Sequence, residues 1–266
     1  MKFIVSSTVL LSHLQAISRV INSKNSLPIL DNFLFNLEDN VLTMTASDIE
    51  TTLITSMEVE SAEGKGKVAV ASRLLLDTLR EFADQPLTFS INDTNLAMVI
   101  TSANGSYNFI GQNGDEYPRL PQLQDDAKLL AMPVSQLSAG ISKTLFCTAD
   151  DELRPVMNGV YFDITKEGIT LVATDAHKSV RYKTTHTQLT IGEEEEKASF
   201  ILPKKPATML KNILPKESGE VEVKFDAKNA YFKLSNYTMI CRQVEGRFPN
   251  YNGVIPKTNL YKIIVD

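Results

Sequence analysis

The chain has no tryptophan, two cysteines and three histidines in 266 residues. Cys147 and Cys241 stand far apart with no CxxC spacing, which excludes a disulfide framework or a zinc ribbon as the organising feature. Two buried thiols in a reducing cytoplasm are the expectation. None of His13, His177 and His186 lies at metal-ligand spacing from another His or Cys. There is no GxxxxGK[ST], no GxGxxG after a strand and no GxSxG elbow, so the common phosphate-cradling and nucleophile motifs are missing. No apolar run approaches the roughly 18 residues of a membrane span. The opening MKFIVSSTVLLSHLQ lacks the unbroken apolar core and the cleavage site of a signal peptide. Basic residues are not in excess either. The net charge of -5 argues at face value against a polyanionic partner.

What is present is a repeat. Residues 27–48 read LPILDNFLFNLEDNVLTMTASD and residues 154–175 read RPVMNGVYFDITKEGITLVATD. At a constant offset of 127, five of the 22 positions are identical and most others keep their polarity. The flanks correspond as well: KVAVASRLLLDTLREF with SFILPKKPATMLKNIL, and DEYPRLPQL with GRFPNYNGVIP. Each copy reads strand, helix, four strands, helix, three strands. The predicted class is α+β, tandem domains each with two helices packed on antiparallel sheets. The domains are expected at 1–122 and 128–256, joined by the Pro- and acid-containing YPRLPQLQDDAK. Residues 257–266, ending LYKIIVD, read as the first strand of a further copy. Ser6 or Ser7 and Ser135 are the predicted helix caps. Asp48 and Asp175, one closing each 22-residue copy, are expected to cap turns through their carboxylates.

Charge is segregated along this pattern. The four helical segments, 7–24, 72–84, 135–147 and 203–216, carry nine bases against three acids inside an acidic chain. A soluble surface ordinarily mixes the two signs. A basic helical layer on an acidic body suits a polyanion approached from one side, without base reading. No recognition helix, zinc-finger spacing or aromatic ribonucleoprotein motif is present. The run EEEE at 193–196 reads as a solvated loop.

The opening MKF, LPIL at 27–30, TDAHKS at 174–179 and GRFPNY at 246–251 together resemble the bacterial DNA polymerase III beta subunits, the sliding clamps. The resemblance covers the whole chain in register. It implies a protein built from three copies of one domain, two subunits closing into a ring around duplex DNA, helices lining the hole. It implies tethering of the DNA polymerase III catalytic subunit for processivity, loading by an ATP-driven clamp loader, homodimerisation when full length, and no catalysis, cofactor or metal. Lys24 and Arg73 fall where the family places DNA-facing bases, and Lys204 with Lys205 fits that role in the second copy. Where the family offers polar and aromatic DNA contacts, Asp150, Asp151, Pro155 and Val156 stand instead. The partner-peptide pocket maps to Met157, Thr174, His177, Pro249 and Val254, with departures from commoner choices at Ala176, Lys178, Ser179 and Gly253.

Two other readings follow from the same residues. One is a two-domain protein-interaction scaffold with no DNA contact, its basic helices serving solubility alone. The feature that separates it is whether Lys24, Arg73, Lys204 and Lys205 share one face. The other is a hydrolase using Asp48 or Asp175 with His177, which needs those groups within reach of each other in a cleft.

Overall fold

Period-2 runs such as NFLFNLE and VEVKFD fold as half-buried strands, and amphipathic runs such as SRLLLDTLR fold as short helices. The computed structural model describes residues 1–184, 188–190, 197–256 and 258. The first copy begins β1 (Lys2–Ser6), α1 (Ser7–Ile17), β2 (Asn32–Glu38), β3 (Val41–Ser47) and β4 (Thr51–Glu58). It continues β5 (Ser61–Glu63), β6 (Gly66–Ala71), α2 (Ser72–Arg80), β7 (Pro86–Ile91), β8 (Ala97–Ser102), β9 (Gly105–Ile110) and β10 (Gln112–Asn113). The second copy begins β11 (Lys128–Pro133), α3 (Val134–Thr144), β12 (Gly159–Thr165), β13 (Gly168–Thr174) and β14 (Ser179–Thr184). It continues β15 (Gln188–Thr190), β16 (Lys197–Pro203), α4 (Lys204–Ile213), β17 (Glu220–Phe225), β18 (Asn229–Lys233) and β19 (Tyr237–Arg242).

Several expectations need correction. Five strands, not four, separate the helices of each copy, because the three-residue β5 and β15 pair along the outer edges of β1 and β11. The helices are also shorter than the apolar pattern suggested. After Ile17 the chain tightens into a 3-10 turn, Ser18–Val20, where the Ser18 hydroxyl donates back to the Gln15 carbonyl. Lys24 is therefore in an exposed loop beyond the helix. Ser6 does cap α1, accepting from the Val9 amide at 3.4 Å. Ser7 instead donates to the Ala83 carbonyl and accepts from the Gln85 amide, fixing the end of the α2 loop. Ser135 caps nothing: α3 begins at Val134 behind Pro133, with no side-chain cap. The EEEE run and His186 lie outside the described residues, as does the expected extra strand but for Thr258.

The strands form three sheets, ordered β5-β1-β7-β8-β9, β14-β13-β12-β16, and a ten-stranded β10-β6-β2-β3-β4-β19-β18-β17-β11-β15. The third crosses from one copy to the other through β4 and β19, antiparallel from Thr51↔Cys241 to Thr55↔Tyr237. Under the repeat, β14 is the counterpart of β4 and β9 the counterpart of β19. Both counterparts end at sheet edges without a partner among the described residues. A single hydrophobic cluster runs through both copies, with Phe3 stacked on Phe89 at 4.8 Å and Phe162 on Phe200 at 4.4 Å. Each fully buried Phe contributes about 1.5–3 kcal/mol relative to exposure. Cys147 and Cys241 are free and buried, and burial raises both thiol pKa values.

Polar bonds pin the β4–β19 seam. Thr55 Oγ1 donates to the Asn236 carbonyl at 2.9 Å, so it must accept from His13 Nδ1 at 2.7 Å, which places a proton on that ring nitrogen. The ring of His13 lies 6.2 Å from that of Tyr237, across the seam. Burial lowers the His13 pKa from 6.5. As the pH falls, the unfolded chain takes up this proton before the folded one does. The stability linked to His13 is thus complete above pH 6.5 and is lost as the pH falls through its lower folded value. Urea midpoints are expected to fall between pH 7 and 5.5 in the native protein and to fall less in His13→Asn. Equal slopes in the two proteins would remove His13 from the account.

Candidate functional site

Of the four basic residues singled out from the sequence, Lys205 meets the segment that leads to Lys24, and that segment borders a cavity with Arg73. Helix α1 packs against α2 and α3 against α4. The two pairs meet where α4 begins: Lys205 Nζ donates to the Val20 carbonyl at 2.8 Å and to Asn22 Oδ1 at 2.6 Å. Asn22 and Ser23, the latter adjoining Lys24, line a cavity of about 600 Å³ together with Arg73 and Arg80. Lys204 precedes Lys205 as the first residue of α4.

These cations differ in what they can still bind. The third proton of Lys205 goes to Asp48 Oδ2, whose side chain is 5% exposed, so all three ammonium donors are satisfied within the protein. Lys204 is paired with Asp150, Arg80 with Asp77 at 2.7 Å, and Lys143 lies 5.1 Å from the Tyr182 ring. Among the described residues, Arg19, Lys24, Arg73, Lys211 and Lys216 have no acidic partner within salt-bridge distance, and all five are exposed. The basic helical layer is thus a mixture of internal struts and open charge. Sequence counting weighted Lys204 and Lys205 like the rest. The acids that engage them, Asp150 and Asp48, come from remote loops.

The repeated Asp residues do cap turns. Asp48 Oδ1 accepts from the Thr51 amide at 2.6 Å, and Asp175 Oδ1 accepts from the His177 and Lys178 amides at 3.0 and 2.9 Å. The residue after each Asp is left-handed, Ile49 at φ 79° and Ala176 at φ 74°. Each of those amides donates to the hydroxyl two residues before it, Ser47 or Thr174, at 3.1 Å in both copies. Lys178 Nζ reaches Asp175 at 2.9 Å, and these bonds hold the Asp175 carboxyl far below the usual range while raising the Lys178 pKa. Carboxylates occupied in this way are not poised as general bases for His177, and the hydrolase reading loses its chemistry.

A small apolar layer lies on the face of the four-stranded sheet turned away from the main core. Val172, Ile201, Phe248 and Tyr251 form it, with Tyr161 stacked on Phe248 at 4.6 Å. Tyr251 donates to Asp163 at 2.6 Å, and burial with that carboxylate pushes its pKa up to about 12. The Val244 amide donates to Ile201 at 3.0 Å and Arg181 reaches Asn252 at 3.4 Å, which lays the exit segment across the sheet. Thr174 is buried and gives its hydroxyl to the Lys178 carbonyl at 2.8 Å. Met157 and Pro249 are half-buried, while His177 and Val254 are exposed. A cavity of about 760 Å³ opens beside this segment, and of the five residues only Pro249 lines it. No cluster of metal-ligating side chains occurs among the described residues, and no helix among them is long and apolar enough to cross a membrane.

Comparison with known proteins places this architecture. The DNA polymerase III beta subunit N-terminal domain matches residues 1–121, and the central domain of the same subunit matches residues 131–250. The Vibrio cholerae beta sliding clamp is 27% identical over 257 residues, covering 97% of this chain and 68% of the relative. A Bartonella birtlesii sliding clamp, solved bound to griselimycin, superposes with a TM-score of 0.87 at 25% identity over 97% of this chain and 69% of that one. The Pseudomonas aeruginosa beta subunit, at 22% identity and TM-score 0.88 with the same coverage, supports the fold alone. Two successive domains matched in order across nearly the whole chain, with the same fold at high overlap, show that the chain belongs to the DNA polymerase III beta subunit family, the sliding clamps.

Proposed function

We propose that this chain is a subunit of a DNA sliding clamp, a non-catalytic cytoplasmic processivity factor that encircles duplex DNA without reading sequence and tethers the replicative polymerase. The observation that supports this reading is that Lys205 bonds Asn22, two residues before Lys24, where Asn22 and Arg73 line one cavity at the meeting of the two copies' helices. Lys24 and Arg73 supply open charge for phosphates, and Lys204 adds to it when Asp150 gives way. The occupied donors of Lys205 favour a structural role for that residue. Met157, Thr174, His177, Pro249 and Val254 border the site for linear peptides of the polymerase catalytic subunit and the clamp loader. The domains divide at 1–122 and 128–256.

Assembly follows from the same repeat. In the repeat β14 stands where β4 does and β9 where β19 does, and each is a sheet edge among the described residues, so pairing of the β4–β19 kind can continue head to tail. Where the rotation between copies closes, such continuation forms a ring of two subunits.

The test is retention by topology. Loaded by its cognate loader and ATP onto nicked circular duplex, the native protein is expected to stay on the circle through gel filtration and to be released when the circle is linearised. Equal retention on both forms would show an ordinary DNA binder. Retention on neither would leave the scaffold reading in possession.

A further inference from the structure

A cavity of about 340 Å³ opens at the seam between the copies, on residues to which the reading above gives no role. Ile49 and Glu50 of the β3–β4 turn, Pro118 and Arg119 of the segment leaving the first copy, and Lys228 and Arg242 of the second copy line it. We infer that it is a second peptide-docking site, taking a short extended segment of a partner protein in which acidic and aliphatic side chains alternate. The inference rests on the peptide-site reading of the second copy for its analogy.

Four observations support it. First, the repeat places the same parts here. The Ser47–Asp48–Ile49 turn has the hydrogen bonds and left-handed residue of the Thr174–Asp175–Ala176 turn, and Tyr117–Pro118 stands in DEYP where Phe248–Pro249 stands in GRFP. In this copy the far wall is supplied by Lys228 and Arg242. Second, Ile49 is a β-branched residue held at φ 79°, a conformation that such residues rarely adopt, and it is 49% exposed at the cavity. Third, the cavity lining holds three cations, Arg119, Lys228 and Arg242, and one acid, Glu50, with Glu245 and Asp226 just outside it. Arg242 is shared between Glu50 at 3.6 Å and Glu245 at 3.8 Å, and neither Arg119 nor Lys228 has an acidic partner within salt-bridge distance among the described residues. Fourth, the backbone from Arg119 to Leu123 lies in no strand and makes no hydrogen bond among the described residues, leaving amides and carbonyls free for an extended peptide. Aliphatic Ile49 and Pro118 give footing to apolar side chains, which a phosphate backbone would not use.

The probe is the fluorescein-labelled peptide acetyl-Glu-Leu-Asp-Leu-Glu-Leu-amide, followed by anisotropy on the full chain, with acetyl-Lys-Leu-Lys-Leu-Lys-Leu-amide as the charge-reversed control. The acidic peptide is expected to bind and the basic one not. Arg119→Glu with Lys228→Glu should weaken binding at least tenfold, and Arg119→Lys should retain it. Both changed residues are exposed, and circular dichroism checks that the fold is intact. The inference is overturned if the double variant binds the acidic probe like the native chain, if no binding is detected, or if duplex DNA competes the probe away and is lost in parallel on the double variant. A peptide from the cognate polymerase catalytic subunit, run beside it, reports on the other site: Val254→Asp should release that peptide. If it does not, the second-copy reading fails while the acidic probe still decides the seam cavity.

Discussion

Lys205→Ala is expected to lower the unfolding free energy by about 3 kcal/mol, the lower end for breaking a buried pair, because Lys205 keeps 38% of its side chain exposed while Asp48 keeps 5%. The loss arises from what is left behind: a carboxylate walled from water, with the Val20 carbonyl and Asn22 amide oxygen no longer capped by the ammonium. For a chain of this size the melting temperature should fall by roughly 5–6 °C. Replacing both partners, Asp48→Asn with Lys205→Met, should cost less than the sum of the two single changes, since neither then strands a charge. The same Lys205→Ala protein should keep the salt dependence of DNA binding unaltered. A flat thermal response together with a reduced salt slope would reverse the assignment and make Lys205 a phosphate contact.

The opposite signature belongs to Lys24 and Arg73. Replacing both with alanine should leave stability within about 0.5 kcal/mol, because both are exposed and without an acidic partner among the described residues. It should reduce the slope of log K against log salt by about 1.8, at 0.9 for each phosphate neutralised. If the non-ionic part of binding measured near 1 M salt is unchanged, that slope corresponds to roughly two-hundredfold weaker binding at about 50 mM. Fluorescence anisotropy on a duplex of arbitrary sequence across a salt series makes the measurement. Unequal losses on different sequences would mean base reading and would contradict encirclement by charge alone.

Much of this was legible in the residues because the repeat acts as an internal alignment. Phe35 and Phe162, Ala46 and Ala173, Asp48 and Asp175 hold equivalent places, so alternation seen weakly in one copy is confirmed by the other. The capping role of each Asp could be read from its place at a strand end. The two short edge strands could not: SAE and QLT carry too few residues to show a period, and pairing beside β1 and β11 is decided by the sheet. The end of α1 was hidden because Leu, Ile and Val continue the apolar spacing through Ile21, while Ser18 turns the backbone. Charge was misjudged for a different reason. Counting bases on helices cannot tell Lys24 from Lys205, because Asp48 is 157 residues from Lys205 in the chain. The seam cavity had no signal of its own, since its walls come from three separate segments.

The ladder between β4 and β19 bears on how the molecule comes apart. Two copies joined by a linker alone would melt as separate units, each with its own midpoint. Here the shared ten-stranded sheet and unbroken apolar cluster couple them, so calorimetry should record one cooperative transition. Severing the halves would strip hydrogen-bond partners from a central strand in each and turn it into an exposed adhesive edge. Neither half, expressed by itself, should remain monodisperse.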